Sequence, residues 1–331
     1  MNNRILYGTV MLMLLGNEFA PAAEPKTLEL IQTIPLKGAG GRLDHLAIDA
    51  KNARLFIANL SNNSFDVVDL KAGKLVKQIP DQKKIQGIAY VADLNRIFVG
   101  NGVDGVCNVF DGESYKLLKS IKLPDADNVR YDPTNGLIYV GHAENELSAI
   151  NAKTYEVKTT IKLPGAPEAF QIDSTRKRIY VNTLKPAHVA VIDTDKNEVI
   201  AKYPLKLADA NYPMALDVMN QRIFVGCRKK PLIVVLDAKT GKEITGIEIP
   251  ADTDDLFFDA KRKRIYATCG EGFLTVVQQK NGDQFEVIEK IAVPKVTRTC
   301  LFDADGDRLY VPVPRQEGET GPTLRIYRPK N

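Results

Sequence analysis

Hydrophobic and polar residues alternate in short runs along most of this 331-residue chain, and turn-forming residues separate the runs. The segment 168–205 shows the pattern, because EAFQID, RIYVN, HVAVID and EVIAKYPL each mix β-branched or aromatic residues with polar ones. Alternation with a period of two is typical of β-strands, and no ten-residue stretch shows the 3.6-residue period of a helix. The pattern predicts an all-β protein.

One hydrophobic motif recurs seven times, at intervals of about 42 residues. Each copy has an aliphatic residue followed by Phe or Tyr, and six copies begin with arginine. The copies are RLFIAN at 54, RIFVGN at 96, LIYVGH at 137, RIYVNT at 178, RIFVGC at 222, RIYATC at 264 and RLYVPV at 308. In six copies an aspartate lies five residues before the start. This spacing predicts a tight hairpin in which Asp and Arg face each other, with an ion pair available in five repeats.

Four strands in each of seven units predict a seven-bladed β-propeller, formed as one domain by residues 23–331. Stacking the blades around a ring would bury both faces of every sheet. The last unit stops one strand short, and residues 27–36, TLELIQTIPL, resemble the missing fourth strand. We expect this N-terminal segment to form the outer strand of blade seven and to close the ring.

Residues 1–22 differ from the repeats. An early arginine, an apolar run from Ile5 to Leu15 and the sequence Ala20-Pro21-Ala22 are typical of a signal peptide and its cleavage site. The apolar run is shorter than the roughly 20 residues that a helix needs to cross a bilayer. We therefore expect an exported protein, periplasmic or secreted, without a transmembrane anchor.

Two of the units carry a family resemblance. RIYVNTLKPAHVAVIDTDKNEVIAKYPL at 178–205 and RLFIANLSNNSFDVVD at 54–69 resemble the YVTN-type repeat, in which a Tyr-Val-Thr-Asn core precedes a VSVID-like strand. The resemblance extends over about residues 27–329 and implies an exported, YncE-like, seven-bladed β-propeller. Such propellers include binding proteins and relatives of lactonases and of quinoprotein subunits, so the resemblance implies a fold more narrowly than a function.

Charge and cysteine content change this picture little. A formal net charge of +4 does not by itself indicate a nucleic-acid or membrane partner. The basic stretches STRKR (174–178) and AKRKR (260–264) would lie on the face of the propeller opposite the mouth of its central funnel. This basic face could bind nucleic acid weakly, or its charge could serve ordinary solubility. The four cysteines show no C-x-x-C spacing, which leaves both buried thiols and disulfides open. They are Cys107, Cys227, Cys269 and Cys300.

Propellers bind ligands at the central funnel, where the innermost strands begin. Two adjacent positions per unit, five and four residues before the repeated aspartate position, should face this funnel, and they vary between units. The ten candidates are Asp44, His45, Gln86, Asp127, Asn128, Glu168, Tyr212, Asp254, Asp255 and Arg298. They predict a polar pocket for a small cationic or hydroxylated ligand, or for a divalent cation held by oxygen atoms. His45 could act as a general base or metal ligand, or could simply hydrogen-bond at the strand end.

The expected function is non-catalytic binding by a monomer, which recognises a protein or a small molecule through the funnel face. In the fifth unit Arg228, Lys229 and Lys230 would project from a loop as a contact for an anionic partner. No G-x-S-x-G, H-E-x-x-H or dinucleotide motif occurs, so no catalytic residue and no cofactor is predicted. The alternatives are a funnel-site enzyme, such as a metal-assisted lactonase or other hydrolase, and a partner subunit of a periplasmic oxidoreductase.

Overall fold

The computed structural model describes residues 25–38, 40–143 and 145–331, and the predicted signal peptide lies outside these residues. The described chain forms seven four-stranded antiparallel sheets, which confirms the predicted seven-bladed β-propeller. Its helical segments are two short 3-10 turns, Leu60–Asn62 and Ala92–Leu94. None of the helical segments that the structure describes is long and apolar enough to span a bilayer.

The first strand that the structure describes, β1 (Leu28–Pro35), precedes blade one. Each of blades one to six then consists of four consecutive strands. The strands of blades one to three are β2 (Leu46–Asp49), β3 (Arg54–Asn59), β4 (Ser64–Asp69) and β5 (Lys74–Ile79); β6 (Ile85–Val91), β7 (Arg96–Asn101), β8 (Val106–Asp111) and β9 (Leu117–Lys122); and β10 (Val129–Asp132), β11 (Leu137–His142), β12 (Glu146–Asn151) and β13 (Val157–Lys162).

The remaining blades repeat the same order. The strands of blades four to six are β14 (Pro167–Asp173), β15 (Arg178–Thr183), β16 (His188–Asp193) and β17 (Glu198–Pro204); β18 (Asp209–Asp217), β19 (Arg222–Lys229), β20 (Leu232–Asp237) and β21 (Glu243–Glu248); and β22 (Thr253–Asp259), β23 (Arg264–Cys269), β24 (Phe273–Gln279) and β25 (Phe285–Ala292). Blade seven begins with β26 (Leu301–Asp303), β27 (Arg308–Val313) and β28 (Thr323–Pro329).

Blade seven is completed by the N-terminal strand. β1 lies outermost in this sheet and pairs antiparallel with β28, from Leu28 opposite Pro329 to Pro35 opposite Thr323. The backbone N–H of Lys330 also donates a 2.8 Å hydrogen bond to the carbonyl of Thr27. The predicted closure of the ring by residues 27–36 is therefore confirmed.

Hydrophobic clusters fill the spaces between neighbouring blades, and the repeated aromatic residue explains how. In every copy of the motif this residue is at most 5% exposed and belongs to the cluster shared with the following blade. Phe56 of blade one, for example, packs in the same cluster as Ile97 and Phe110 of blade two. These residues are Phe56, Phe98, Tyr139, Tyr180, Phe224, Tyr266 and Tyr310. The motif recurs because each inter-blade core needs one large side chain from each sheet.

The repeated aspartate and arginine face each other across the hairpin as predicted, but the predicted ion pair is formed in one repeat among the described residues. Arg54 lies 2.7 Å from Asp49. In blade four, Arg178 is opposite Asp173 in the backbone register, yet its guanidinium lies 2.8 Å from Asp193 of the third strand. In blade five Arg222 likewise pairs with Asp237 of the third strand, because an arginine on the second strand lies between two neighbouring strands and can pair with either. In blade six Arg264 bonds Gln278, and in blade seven Arg308 bonds backbone carbonyls, so the expectation was wrong in these four repeats.

The repeated aspartate instead stabilises the turn that follows it. In blade four the backbone N–H of Arg176 donates to Asp173 at 3.1 Å, and in blade five that of Asn220 donates to Asp217 at 3.1 Å. Short acidic side chains commonly accept hydrogen bonds from turn N–H groups in this way. The residue just before the second strand has a left-handed backbone in all seven blades, with φ from 49° to 70°.

The basic stretches are joined to the scaffold by ion pairs. Lys177 lies 2.8 Å from Asp195, and Arg176 bonds Asp173 at 2.9 Å and the carbonyl of Val218 at 3.0 Å. The sequence leaves Arg176 and Lys177 available to a partner, whereas the structure gives both of them intramolecular contacts.

Arg262 makes the most extensive of these contacts. Its Nη1 lies 2.9 Å from Asp259 Oδ2 and 2.7 Å from Asp307 Oδ1, and its Nη2 lies 2.7 Å from Asp307 Oδ2. The Arg262 side chain is only 7% exposed. Because Asp259 ends β22 and Asp307 precedes β27, this residue ties blade six to blade seven.

Candidate functional site

The first strands of the blades surround the centre of the ring, since β2 contacts β6 and β26, and β18 contacts β14 and β22. A cavity of about 330 Å³ lies where these strands begin, and we call it the funnel cavity. Blades one to six contribute its lining. The lining residues are Arg42, His45, Lys84, Gln86, Asp125, Asp127, Asn128, Glu168, Ala169, Tyr212, Arg228 and Asp254.

Seven of the ten predicted funnel residues line this cavity. They are His45, Gln86, Asp127, Asn128, Glu168, Tyr212 and Asp254. The backbone explains their convergence, because they occupy equivalent positions at the start of each first strand. Asp44, Asp255 and Arg298 occupy such positions as well, but they are not among the lining residues.

Asp44 and Asp255 are buried beneath the cavity wall, where they hold two of the lining cations. Arg42 Nη2 lies 2.9 Å from Asp44 and 3.0 Å from Asp254. His45 Nδ1 lies 3.2 Å from Asp255 Oδ1. The two buried carboxylates therefore fix the side chains that a ligand would meet.

Arg298 makes structural contacts with blade six. Its guanidinium lies 3.0 Å from Asp252, and its carbonyl accepts hydrogen bonds from the backbone N–H groups of Asp254 and Asp255 at 3.2 and 3.1 Å. In blade seven the regular first strand begins only at Leu301. Residue 298 thus lies in the segment before that strand and is bonded to blade six.

Arg228 does not project outward as the sequence suggested. Its guanidinium carbon lies 3.8 Å from the ring centroid of Tyr212, its Nε donates to the carbonyl of Thr253 at 2.9 Å, and its Nη2 pairs with Asp254. The reason is that β19 extends through Lys229, so Arg228 is part of a strand and not of a loop. Lys229 is exposed and lies 3.2 Å from Asp209, and Lys230 is exposed.

Three charged lining residues were not selected from the sequence. Arg42, Lys84 and Asp125 each lie two residues before a predicted funnel position and line the cavity. All three lie just before the first strands, where the backbone of Lys84 and Asp125 is left-handed, so the alternation of an extended strand does not apply to them. Their position two residues before the predicted ones was the signal that the sequence offered.

Burial raises the pKa values of three carboxyl groups that line the cavity. Burial, reinforced by Asp127 and Asp254, raises the pKa of Glu168 to about 8. Burial and the negative charge of Asp44 raise the pKa of Asp127 to about 6. Burial also raises the pKa of Asp254 to about 6, although Arg228 opposes the shift.

The pKa of His45 is raised, which favours the charged form of its side chain. Burial alone would lower its pKa, but the nearby carboxylates of Asp255, Asp44 and Asp127 outweigh burial and raise the pKa to about 10. At neutral pH this side chain is therefore an imidazolium, which donates hydrogen bonds and cannot act as a general base.

We expect Glu168→Gln to gain stability relative to the wild type as the pH rises from 5 to 8. Folding raises the pKa of this carboxyl from about 4.5 to about 8. Such a group contributes its full stability when the pH is below the unfolded pKa, and this contribution is lost as the pH rises through the folded pKa. The advantage of the variant should therefore grow by about 3–4 kcal/mol over this range.

Urea unfolding at pH 5 and at pH 8 measures this difference. Glu198→Gln, on the exposed outer strand of the same blade, is the matched control and should follow the wild type. Identical pH dependence in Glu168→Gln and the wild type would contradict the assignment of a buried, destabilised carboxylate.

One contact chain outside the funnel has the order of a catalytic triad. His142 Nε2 lies 2.8 Å from Ser148 Oγ, and His142 Nδ1 lies 3.7 Å from Glu146 Oε2. Ser148 is completely buried, and its hydroxyl also contacts that of Thr160 at 2.9 Å. A nucleophile must reach its substrate, so these residues form a polar contact inside blade three.

The cysteines are buried, free thiols. Burial raises the pKa values of Cys107, Cys227 and Cys269 to about 12, so the reactive thiolate is scarce at neutral pH. In the part of the chain that the structure describes, no three His, Cys, Asp or Glu side chains are grouped so that they could hold a metal ion.

Known proteins resemble this chain in sequence and in fold, although no family model matches it. The uncharacterized protein YncE of Salmonella typhimurium is 25% identical over 265 residues, which cover 74% of this chain and 73% of that protein. The uncharacterized protein YncE of Escherichia coli is 27% identical over 199 residues, which cover 54% and 55%. A chain of the hydrazine synthase of Kuenenia stuttgartiensis is similar in fold, with a TM-score of 0.72 at 16% identity over 83% of this chain and 94% of that one. The chain is thus YncE-like in sequence and a seven-bladed β-propeller in structure.

Proposed function

We propose that this protein is a non-catalytic binding protein that holds a small ligand in the funnel cavity. The observation that carries the proposal is the side chain of Gln86, which lines the cavity and is only 6% exposed. Its amide has no hydrogen-bond partner among the described residues and is therefore free to bond a molecule in the cavity. A ligand in the cavity would supply the partner.

The dimensions and the rigidity of the site support this proposal. A volume of about 330 Å³ is that of a small-molecule site. The lining side chains lie on the paired strands of six blades or in the short segments just before them, so the cavity exists before a ligand arrives. A preformed site loses little conformational entropy on binding.

A ligand screen by thermal unfolding tests the proposal. A small-molecule ligand should raise the melting temperature of the wild type in a concentration-dependent manner. Gln86→Leu keeps the approximate size of the side chain but removes the amide, and should weaken binding about tenfold. Gln284→Leu, at an exposed position of blade six, is the control and should bind as the wild type does. A hit that binds Gln86→Leu equally well would show that the funnel cavity is not its site.

A funnel-site hydrolase is the second candidate, and the pKa of Glu168 favours it. With a pKa of about 8, this carboxyl is largely protonated at neutral pH and could donate a proton to a leaving group. Turnover of a lactone or ester that is abolished in Glu168→Gln would support the enzyme. Binding without turnover would support the binding protein.

We also propose that the protein is exported. The sequence features of residues 1–22 support this proposal. N-terminal sequencing of the protein recovered from its native cells should begin at Ala23. Recovery of the intact N-terminus in the cytoplasm would contradict it.

A further inference from the structure

The cations on the wall of the funnel cavity already have carboxylate partners. Arg42 and Arg228 both contact Asp254, and Lys84 lies 2.8 Å from Asp125. The remaining cation, the histidine, pairs with a buried aspartate as described above. A negatively charged ligand would therefore have to compete with existing ion pairs for every positive group that it meets.

Two carboxyl groups on the same wall have no such partner. Glu168 makes no hydrogen bond or ion pair within the described residues, and the polar contact of Asp127 is a 3.4 Å hydrogen bond from the amide of Asn128. Both line the cavity. Once these two carboxyls are ionised, the charge that remains uncompensated in the funnel is thus negative.

The neutral groups of the wall add acceptors beside these carboxyls. Asn128 is 4% exposed, and its Oδ1 is buried without a hydrogen-bond partner in the described structure. Gln86 brings an unbonded amide from the neighbouring blade. Two carboxyl groups and two amide oxygens can together accept several N–H donors.

We infer that the funnel cavity binds an organic cation, an ammonium or a guanidinium compound, with its N–H groups donating to Asp127 and Glu168. This inference rests on the proposed binding function and names the class of ligand. Charge-assisted hydrogen bonds of this kind are stronger than neutral ones, and they strengthen further where water is excluded. The raised pKa values of both carboxyls agree with it, because burial and the neighbouring carboxylates raise these values more than the nearby cations lower them.

Three molecules of equal chain length and different charge test the inference by titration calorimetry at pH 8. The probes are 1,4-diaminobutane, 1,4-butanediol and succinate, with agmatine as a guanidinium probe. We expect at least one of the two cationic probes to bind and the diol and the dianion not to bind. Glu168→Gln and Asp127→Asn should each weaken binding about tenfold. Glu198→Gln should leave it unchanged, and the melting temperature of each variant shows that it is folded.

The other outcomes separate the class of ligand from the function. Binding of the diol or of succinate, without binding of either cation, would overturn the inference and leave the binding protein standing. Binding of Ca²⁺ or Mg²⁺ that is lost in Glu168→Gln would replace the organic cation by a metal ion. Failure of both cationic probes contradicts the inference, and failure of the wider screen as well contradicts the proposed function.

Discussion

Leu28→Ala and Ile34→Ala should each lower the free energy of unfolding by about 2–5 kcal/mol. Both side chains lie on β1 and are completely buried, but they belong to different clusters. Leu28 packs between blades six and seven, and Ile34 packs between blades seven and one. The single N-terminal strand therefore holds blade seven to both of its neighbours. Urea unfolding of each variant measures the loss.

The same strand offers a control, because Leu30 is 47% exposed. Leu30→Ala should change the stability by no more than about 0.5 kcal/mol. Deletion of residues 27–36 removes the whole strand, so we expect aggregation through the edge of β28 that is left unpaired. A deletion variant that remained monomeric with an unchanged melting temperature would refute the closure of the ring by β1.

Arg262→Ala should lower the free energy of unfolding by about 3–5 kcal/mol. The substitution leaves Asp259, which is 1% exposed, without its cation, and Tyr266 Oη remains its side-chain donor at 2.9 Å. It also breaks both hydrogen bonds between Arg262 and Asp307, which connect blades six and seven. Chemical denaturation at neutral pH and low salt gives the change in stability.

Arg176 is the matched control, because it follows Asp173 at the same spacing at which Arg262 follows Asp259. Its side chain is 36% exposed, and it reaches the next blade through a carbonyl oxygen instead of a carboxylate. Arg176→Ala should therefore lower the stability by about 1 kcal/mol or less. Equal losses of stability in Arg262→Ala and Arg176→Ala would contradict a larger contribution from the buried ion pairs of Arg262.

The fold could be predicted from the sequence because each blade must bury both faces of a four-stranded sheet and repeats the same pattern of hydrophobic residues. A four-stranded sheet must cover both faces, so the aliphatic and aromatic positions recur, and the strands β14 to β17 begin and end within one residue of the predicted bounds. The ion pairs could not be predicted in the same way. Backbone register places Arg178 opposite Asp173, but a long side chain selects among several carboxylates within its reach, and that selection depends on three-dimensional packing.

In the candidate site, too, the positions of residues could be predicted but their ion pairs could not. The spacing from the repeated aspartate predicts the positions that face the funnel, and the structure brings Gln86, Asp127 and Glu168 together there. The sequence could not reveal which charges are already compensated. Arg228 reaches Asp254 only because β19 is longer than its counterparts and Tyr212 provides a surface for its guanidinium. Such pairing depends on contacts between blades, which a repeat pattern does not encode.

The pairing of β1 with β28 predicts an order in which the blades form. Six blades are each built from consecutive strands, so their sheets can form from local contacts. Blade seven joins residues that are roughly 300 positions apart, from Leu28 to Pro329. Contacts between distant segments form slowly, because the chain must lose the entropy of a very large loop before they stabilise it. We therefore expect β1 to pair last although it precedes the other described strands in the chain, and during synthesis the incomplete ring has two open ends until β28 is made.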